Sequence, residues 1–297
     1  MVKKTKNIKD LFHSNTKLLG LIGHPIKHSF SPYIHNITSE LLKTDYIYLP
    51  FDVTPDNLNN ALKGMVALDL RGFNVTIPHK ENILQYLNNI SEEASIVGAV
   101  NTVYNDHGIL NGYNTDINGI TETLIPFKEE LNGKVVTIVG AGGGARAAIY
   151  SLLRNFKIEK INLINRTKQR ADTLKNYFEN KMKFNCFDTF ELIPPDNVEI
   201  FNNSKLIINA TSVGMTPDSD DSITPLKESF NKDQIVFDMV YNPAKTELLK
   251  LAKKTGATTL DGLKMLVYQA ARSFEIWTGE EMPINKIYKS LQLYIAD

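Results

Sequence analysis

The chain of 297 residues has one cysteine, no surplus of either charge and no long apolar run. Cys186 by itself permits neither an internal disulfide nor a four-thiolate zinc site, so a reducing compartment is expected. The 33 Lys plus Arg are matched by 33 Asp plus Glu. That balance removes the positive excess that a nucleic-acid binder or a polybasic membrane-surface protein would carry. With 42 % apolar residues the chain is equally unlike an acidic disordered segment. Lys3, Lys4, Lys6, Lys9 and Lys17 precede an apolar stretch, Leu18 to Gly23, that is far too short for a signal-peptide core or a membrane span. A cytoplasmic protein without membrane or nucleic-acid partners is the expectation. His24, His28 and His35 are close in sequence but show no H-E-x-x-H or paired Cys/His spacing, so no metal is expected. The G-x-S-x-G elbow and the Walker lysine are also missing, which withdraws support from serine hydrolase and P-loop chemistry.

What is present is alternation. At about 100 to 200 residues per domain the length favours two domains, with a site in the cleft between them. Residues 17–23 read as a buried strand, and Pro32 to Lys43 as a helix with Ser31 as N-cap. Strands at 46–53 and 72–77 and helices at 55–63 and from Pro78 to Leu87 continue the pattern, and A-V-N-T-V-Y and I-L-N-G-Y flank a hairpin turn, N-D-H-G. A second run opens at Gly133. Strands at 135–140, 160–165, 205–210, 235–239 and 257–260 alternate with helices near 144–155, 168–180 and 245–255, which predicts a doubly wound, mostly parallel sheet. Helices near 262–277 and 284–295 close the chain and need another domain to pack on.

Gly140-Ala141-Gly142-Gly143-Gly144-Ala145 matches G-x-G-x-x-A between an apolar strand and a helix. The first glycine allows the tight turn, the second admits a pyrophosphate to the backbone, and the helix N-terminus supplies amide donors. Strand, turn and helix in this order favour dinucleotide binding over a ligand-free glycine connection. After the next strand comes Asn165-Arg166-Thr167-Lys168-Gln169-Arg170, with no acid to accept ribose hydroxyls. Arg166 and Arg170, with the Thr167 hydroxyl, suit a 2′-phosphate, so the predicted cofactor is NADP. The alternative makes Thr167 a helix cap and both arginines solvated charges.

Polar residues at element ends mark the other half of a site. Ser29 and Ser31 precede a helix start that favours an anion such as a carboxylate, although Ser31 alone reads more simply as an N-cap. Asn74 and Thr76, two apart, share one strand face, with Val75 and Ile77 turned to the core. Lys80 falls in the first turn of the predicted 78–87 helix, where the dipole disfavours a cation and opens a route to a base; a solvated lysine is the commoner case. Asn101 and Asp116 complete the set. Asp116 either caps the next helix or orients the Lys80 ammonium and shares a substrate proton with it. Gln269 lies in an apolar segment, as readily an exposed residue as a ligand contact.

The segments G-H-P-I-K-H-S-F-S-P-Y-I-H-N, G-F-N-V-T-I-P-H-K, V-G-A-V-N-T, G-Y-N-T-D, G-A-G-G-G-A, N-R-T, I-I-N-A-T-S-V-G-M, D-M-V-Y-N-P and D-G-L-K-M-L-V-Y-Q-A-A run in the order of the shikimate dehydrogenase family, which the chain resembles along nearly its whole length. The resemblance implies an α/β fold of two domains: a substrate domain, residues 1–115 plus 262–297, and an inserted Rossmann-type NADP domain, 116–261, with the C-terminal helices packing back on the first. It implies reversible NADP-dependent reduction of 3-dehydroshikimate to shikimate. Ser29 and Ser31 would hold the substrate carboxylate, while Asn74, Thr76, Asn101, Asp116, Tyr241 and Gln269 would bind hydroxyls or line the pocket. Lys80 and Asp116 would be the catalytic pair. Glu92, Thr211, Met239 and Gly262 would join the glycine loop, Asn165, Arg166, Thr167, Lys168 and Arg170 around the cofactor. A broader quinate/shikimate dehydrogenase and a non-catalytic NADP-sensing module stay open as alternatives, as does a homodimer. Gly144 departs from the alanine of many relatives, and residues 1–16 carry no family motif.

Overall fold

The structure, a computed structural model, describes residues 14–296. The lysine-rich start, with Lys3, Lys4, Lys6 and Lys9, lies outside the described residues. The first half of the chain contains β1 (Lys17–Gly23), α1 (Ser31–Leu42), β2 (Tyr46–Asp52), α2 (Leu58–Ala67), β3 (Gly72–Val75), β4 (Asn89–Ile90), α3 (Glu92–Val97), β5 (Thr102–Asp106) and β6 (Ile109–Tyr113). Its sheet has the order β2-β1-β3-β5-β6-β4, with β5 antiparallel to both neighbours. The β5–β6 hairpin turns through His107 and Gly108, both at positive φ (50° and 92°), the twist-matching geometry for a two-residue loop. Asn105 Oδ1 accepts the Gly108 N–H at 2.8 Å and closes it.

Then come α4 (Asp116–Leu124), α5 (Lys128–Leu131), β7 (Val135–Val139), α6 (Gly143–Asn155), β8 (Lys160–Asn165), α7 (Lys168–Met182), β9 (Phe187–Glu191), α8 (Val198–Asn202), β10 (Leu206–Asn209), β11 (Ile235–Asp238), α9 (Glu247–Lys254) and β12 (Thr258–Leu260). All six strands of this sheet are parallel, in the order β12-β11-β10-β7-β8-β9. Counted from β7, the third strand lies at one edge and the sixth at the other, which puts the switch point between β7 and β10. Ligands of such sheets lie at the carboxyl ends beside that point. The fold is therefore the two-part α/β architecture expected, with a Rossmann-type second sheet.

The chain ends in α10 (Gly262–Thr278) and α11 (Ile284–Ala296). Leu263, Leu266, Val267, Phe274, Ile287 and Leu291 bury their apolar stripes against Ile34 of α1. Trp277 reaches the first sheet, stacks in a cluster with Leu19, Leu21 and Tyr48, and donates its indole N–H to the Val103 carbonyl at 2.9 Å. Gly72 makes room for it: a Cβ there would stand 2.3 Å from the indole. Among the described residues no helix is long and apolar enough to cross a membrane.

Three local expectations need correction. The helix read from Pro78 to Leu87 is a turn followed by a short 3-10 segment, Asn82–Tyr86. Buried His79 donates Nε2–H to the Val53 carbonyl at 2.6 Å, and although the His79 carbonyl accepts Ile83 N–H at 2.9 Å, the Lys80 carbonyl is taken by Val100 N–H at 2.8 Å, so no continuous helical ladder forms. The dipole argument for Lys80 lapses with it. Ile77 does not face the core: β3 ends at Val75, and Ile77 is 59 % exposed. Ser31 is the first helical residue, not the cap; Phe30 occupies the cap position, and the Ser31 N–H goes to Ser29 Oγ at 3.2 Å.

Candidate active site between the two sheets

The first sheet carries the polar residues. Asn101 directly precedes β5, and Thr115 and Asp116 stand at the start of α4, so the two element ends meet. Asn101 Nδ2–H bonds reach Thr115 Oγ1 at 3.0 Å and Asp116 Oδ1 at 2.8 Å, while its Oδ1 accepts the Thr115 N–H at 2.7 Å. Asp116 makes no side-chain cap, and its second oxygen accepts from Lys80 Nζ at 2.6 Å. The lysine and aspartate side chains are 17 % and 6 % exposed. A pair this enclosed is little screened by solvent, so its geometry is held rather than sampled.

Gln269 is buried, which removes the exposed-face reading. Close packing of α10 on α4 brings it in, since a Cβ on Gly119 would stand 2.6 Å from the Met265 carbonyl. Gln269 Nε2 donates to the Leu266 carbonyl at 2.8 Å, and its Oε1 accepts from Asn101 Nδ2 at 3.4 Å. Asn74 is buried too. Its Oδ1 accepts from the Tyr48 hydroxyl at 2.8 Å, and its Nδ2 faces Asn101 O, Thr102 Oγ1 and Ser273 Oγ at 3.1 Å each. Tyr48, Thr102, Thr115 and Ser273, absent from the sequence reading, form the layer that fixes these amides. Only the spacing of Gln269 and Ser273, one turn apart on one face of α10, signalled any of them. Thr76, partly exposed, packs against Gly23, and half-buried Tyr241 is beside Ser29; burial raises its phenol above the ordinary value, with the Ser29 hydrogen bond opposing.

The second sheet brings its glycine loop to the same place. Gly140, at φ 118°, makes the turn after β7, and a Cβ there would lie 3.0 Å from the Ala210 carbonyl and 3.1 Å from Thr211 Cγ2. The loop thus meets Thr211 across the switch point. Gly142 faces open space, nothing lying within 4 Å of a Cβ built on it. Gly143 is different: a Cβ there would stand 3.0 Å from Lys80 Cδ and 3.2 Å from Lys80 Cβ. The lysine stem of one sheet lies across the glycine loop of the other. Gly144 faces the Met239 methyl, and Gly262 the Met239 carbonyl, so these three close the far side. Beneath Met239, Asp238 accepts from Asn209 Nδ2 (2.9 Å), Val240 N–H (3.0 Å) and Thr246 Oγ1 (2.6 Å). Burial pushes its carboxyl up to about 6 in spite of these donors.

Beyond β8, Asn165 Nδ2 donates to the Thr167 carbonyl at 2.9 Å. Thr167 occupies the N-cap position of α7 but makes no side-chain cap bond, which leaves its hydroxyl available. Lys168 is paired with Asp172 at 3.0 Å. Arg166 and Arg170 are exposed and have no ion pair among the described residues. Glu92 stands elsewhere, lining a cleft with Tyr150 and Arg154 near the far end of α6. Among the described residues no group of three or more His, Cys, Asp or Glu side chains is placed to hold a metal.

A dinucleotide crevice facing an enclosed Lys/Asp pair defines a nucleotide-dependent oxidoreductase. The matching families are specific. The model for the shikimate dehydrogenase substrate binding domain matches residues 21–103, that for shikimate/quinate 5-dehydrogenase 124–265, and that for the shikimate 5′-dehydrogenase C-terminal domain 262–292. A shikimate dehydrogenase (NADP(+)) of Caldanaerobacter subterraneus subsp. tengcongensis is 44 % identical over 280 residues, covering 94 % of this chain and 98 % of the relative. A shikimate dehydrogenase crystallised in complex with NADP+ superposes with a TM-score of 0.86 at 39 % identity, covering 95 % of this chain and 97 % of that one. A quinate dehydrogenase of Corynebacterium glutamicum in complex with NAD gives 0.84 at 29 % identity over 94 % and 99 % of the two chains. The chain belongs to the shikimate dehydrogenase family.

Proposed function

We propose that the protein catalyses the reversible NADP-dependent reduction of 3-dehydroshikimate to shikimate, on the route to chorismate and the aromatic amino acids. The observation that carries this reading is the 2.6 Å Lys80–Asp116 contact placed where the Lys80 stem meets the glycine loop. The crevice fits a dinucleotide: Gly142 leaves backbone open at the start of α6, and Arg166 and Arg170 are free to meet a 2′-phosphate. When bound, NADP supplies the hydride chemistry. Lys80 holds a proton at Nζ and gives it to the substrate oxygen during reduction, taking it back in the reverse direction. Asp116 orients the ammonium, and Asn101 holds the other carboxylate oxygen. Ser29 and Ser31, beside the α1 N-terminus, receive the substrate carboxylate, and Asn74, Thr76, Tyr241 and Gln269 shape the hydroxyl-binding wall. Met239 and Gly262 would hold the nicotinamide, and Thr211, Asn165, Thr167 and Lys168 would complete the cofactor set; Glu92, near the far end of α6, is left out of it.

The same reading assigns residues 1–115 plus 262–297 to the substrate side and 116–261 to the cofactor side, and proposes a cytoplasmic protein, with a homodimer as the assembly to check by light scattering. Lys80→Ala should lower shikimate-dependent NADPH formation by about 10²- to 10⁴-fold, the usual worth of one proton-transferring group, with NADP binding nearly intact. Unchanged turnover removes Lys80 from the mechanism. A broader quinate/shikimate range is favoured by one observation, the close likeness to a quinate dehydrogenase fold. Rates measured with quinate and shikimate, each with NAD and NADP, decide it.

A further inference from the structure

Arg146 stands in the first turn of α6, its N–H bonded to the Gly142 carbonyl at 3.0 Å. Its side chain leaves its own sheet. Nε donates to Glu81 Oε2 at 3.1 Å and Nη1 to the Val97 carbonyl at 3.2 Å, while the guanidinium lies over the Tyr177 ring at 4.8 Å. Tyr177 in turn donates its hydroxyl to the Ser95 carbonyl at 3.2 Å. Gly98 is moulded to this cluster. It sits at φ 69°, and a Cβ there would stand 2.9 Å from Tyr177 Oη and 3.1 Å from Arg146 Nη1.

Glu81 follows Lys80 directly, and Val97 leads through Gly98 and Ala99 toward Asn101, the residue that holds Asp116. A planar fork with two donors at a fixed angle fastens both segments in one set geometry; an ammonium, with rotatable donors on a single atom, does not fix that angle. The Arg146 side chain is 14 % exposed and its Glu81 partner 40 %, so the pair is sheltered on the arginine side, and the bond to the Val97 carbonyl is the more enclosed of the two. We infer that Arg146 is a positioning residue for hydride transfer: it holds the Lys80–Glu81 and Val97–Asn101 segments against the start of α6, and so sets the distance between the proton donor and the cofactor loop. The inference rests on the reading of Lys80 as that donor.

The test uses the full chain with Arg146→Ala, Arg146→Lys and Glu81→Gln. Steady-state rates in shikimate and NADP, the deuterium isotope effect on kcat with shikimate deuterated at the reacting carbon, and the thermal midpoint are measured. Arg146→Ala should lower kcat about 10- to 100-fold, as for a sub-ångström to 1 Å misplacement of reacting groups, leave both KM values nearly unchanged and enlarge the isotope effect. Arg146→Lys should resemble it, because charge is kept and the fork is lost. A merely structural strut would lower the midpoint and the active fraction without changing the isotope effect of the folded enzyme. That result, a kcat close to wild type, or a loss confined to the KM for NADP overturns the inference. If Arg146→Ala does not fold, Glu81→Gln must show the same kcat and isotope signature more weakly, and its absence counts against the role. Lys80→Ala run in parallel separates the two readings: wild-type turnover there sinks the assignment of Lys80, whatever Arg146 does.

Discussion

Gly143→Ala should slow the enzyme while barely changing its stability. The added Cβ would meet Lys80 Cδ at 3.0 Å and Lys80 Cβ at 3.2 Å, with Ala99 Cβ at an ordinary 3.7 Å. A rotamer change can move Cδ but not Cβ, which is tied to a backbone whose carbonyl accepts Val100 N–H at 2.8 Å. The lysine segment must therefore retreat by about 0.5 Å, and since a 1 Å misplacement can cost about 100-fold, kcat should fall about tenfold. On the stability side, alanine in place of glycine at a helix position gains up to about 1 kcal/mol, offset by about 1 kcal/mol of local strain. Gly142→Ala is the contrast. Its Cβ meets no protein atom within 4 Å, so it fills only the space proposed for the pyrophosphate and should raise the KM for NADP at nearly constant kcat. NADPH absorbance at saturating shikimate, with circular dichroism melts, reads both variants. A Gly143→Ala enzyme with wild-type kcat, or with its whole loss in the KM for NADP, would refute the claim that this glycine seats the lysine.

Gly144→Ala should be tolerated, because the one tight neighbour of its Cβ would be the flexible Met239 methyl at 3.3 Å, the Ala210 carbonyl standing at an ordinary 3.8 Å; the helix gain of up to about 1 kcal/mol should raise the thermal midpoint by about 2 °C. Arg166→Gln should lower kcat/KM for NADP about 10- to 100-fold, the worth of one charge-assisted bond of about 1.5–3 kcal/mol, and leave NAD use unaffected; equal losses with both cofactors would contradict the 2′-phosphate assignment. His35 is buried in α1 against Tyr48, and burial lowers its pKa to about 3 from 6.5. Its folded value lies below its unfolded value, so its contribution to stability is present above pH 6.5 and is lost as pH falls toward 3. Between pH 7 and pH 5 wild type should therefore lose about 2 kcal/mol more stability than His35→Phe, as read by urea unfolding; parallel losses would show that His35 does not titrate in this way.

Much of the site was legible because its parts are local. The glycine loop, Arg166 and Arg170 follow from a strand–turn–helix pattern that a dozen residues encode; Lys80 and Asp116 were singled out by residue type, but the helix expected to carry Lys80 is absent and only the family resemblance favoured their pairing over an Asp116 cap. The strand β9 and the short α3 and α8 were not, since each is brief and takes its shape from neighbours. The 78–87 segment was misread for the same reason: its helical composition loses to the His79 bond to the Val53 carbonyl and to the Val100 N–H bond to the Lys80 carbonyl, whose partners lie 26 residues before and 20 residues after.

The amino-acid order by itself determined the alternation of strands and helices, the dinucleotide loop and the side chains able to move a proton or hold an anion, because backbone propensity and functional-group chemistry are carried residue by residue. Only the tertiary structure decided that Asp116 serves Lys80 rather than capping α4, that Asn74 and Gln269 are buried in a hydrogen-bonded layer, and that Gly143 and Arg146 meet the lysine segment. Those outcomes depend on which groups from distant parts of the chain arrive within contact of one another, and packing two sheets and a returning C-terminal helix together is what sets those distances.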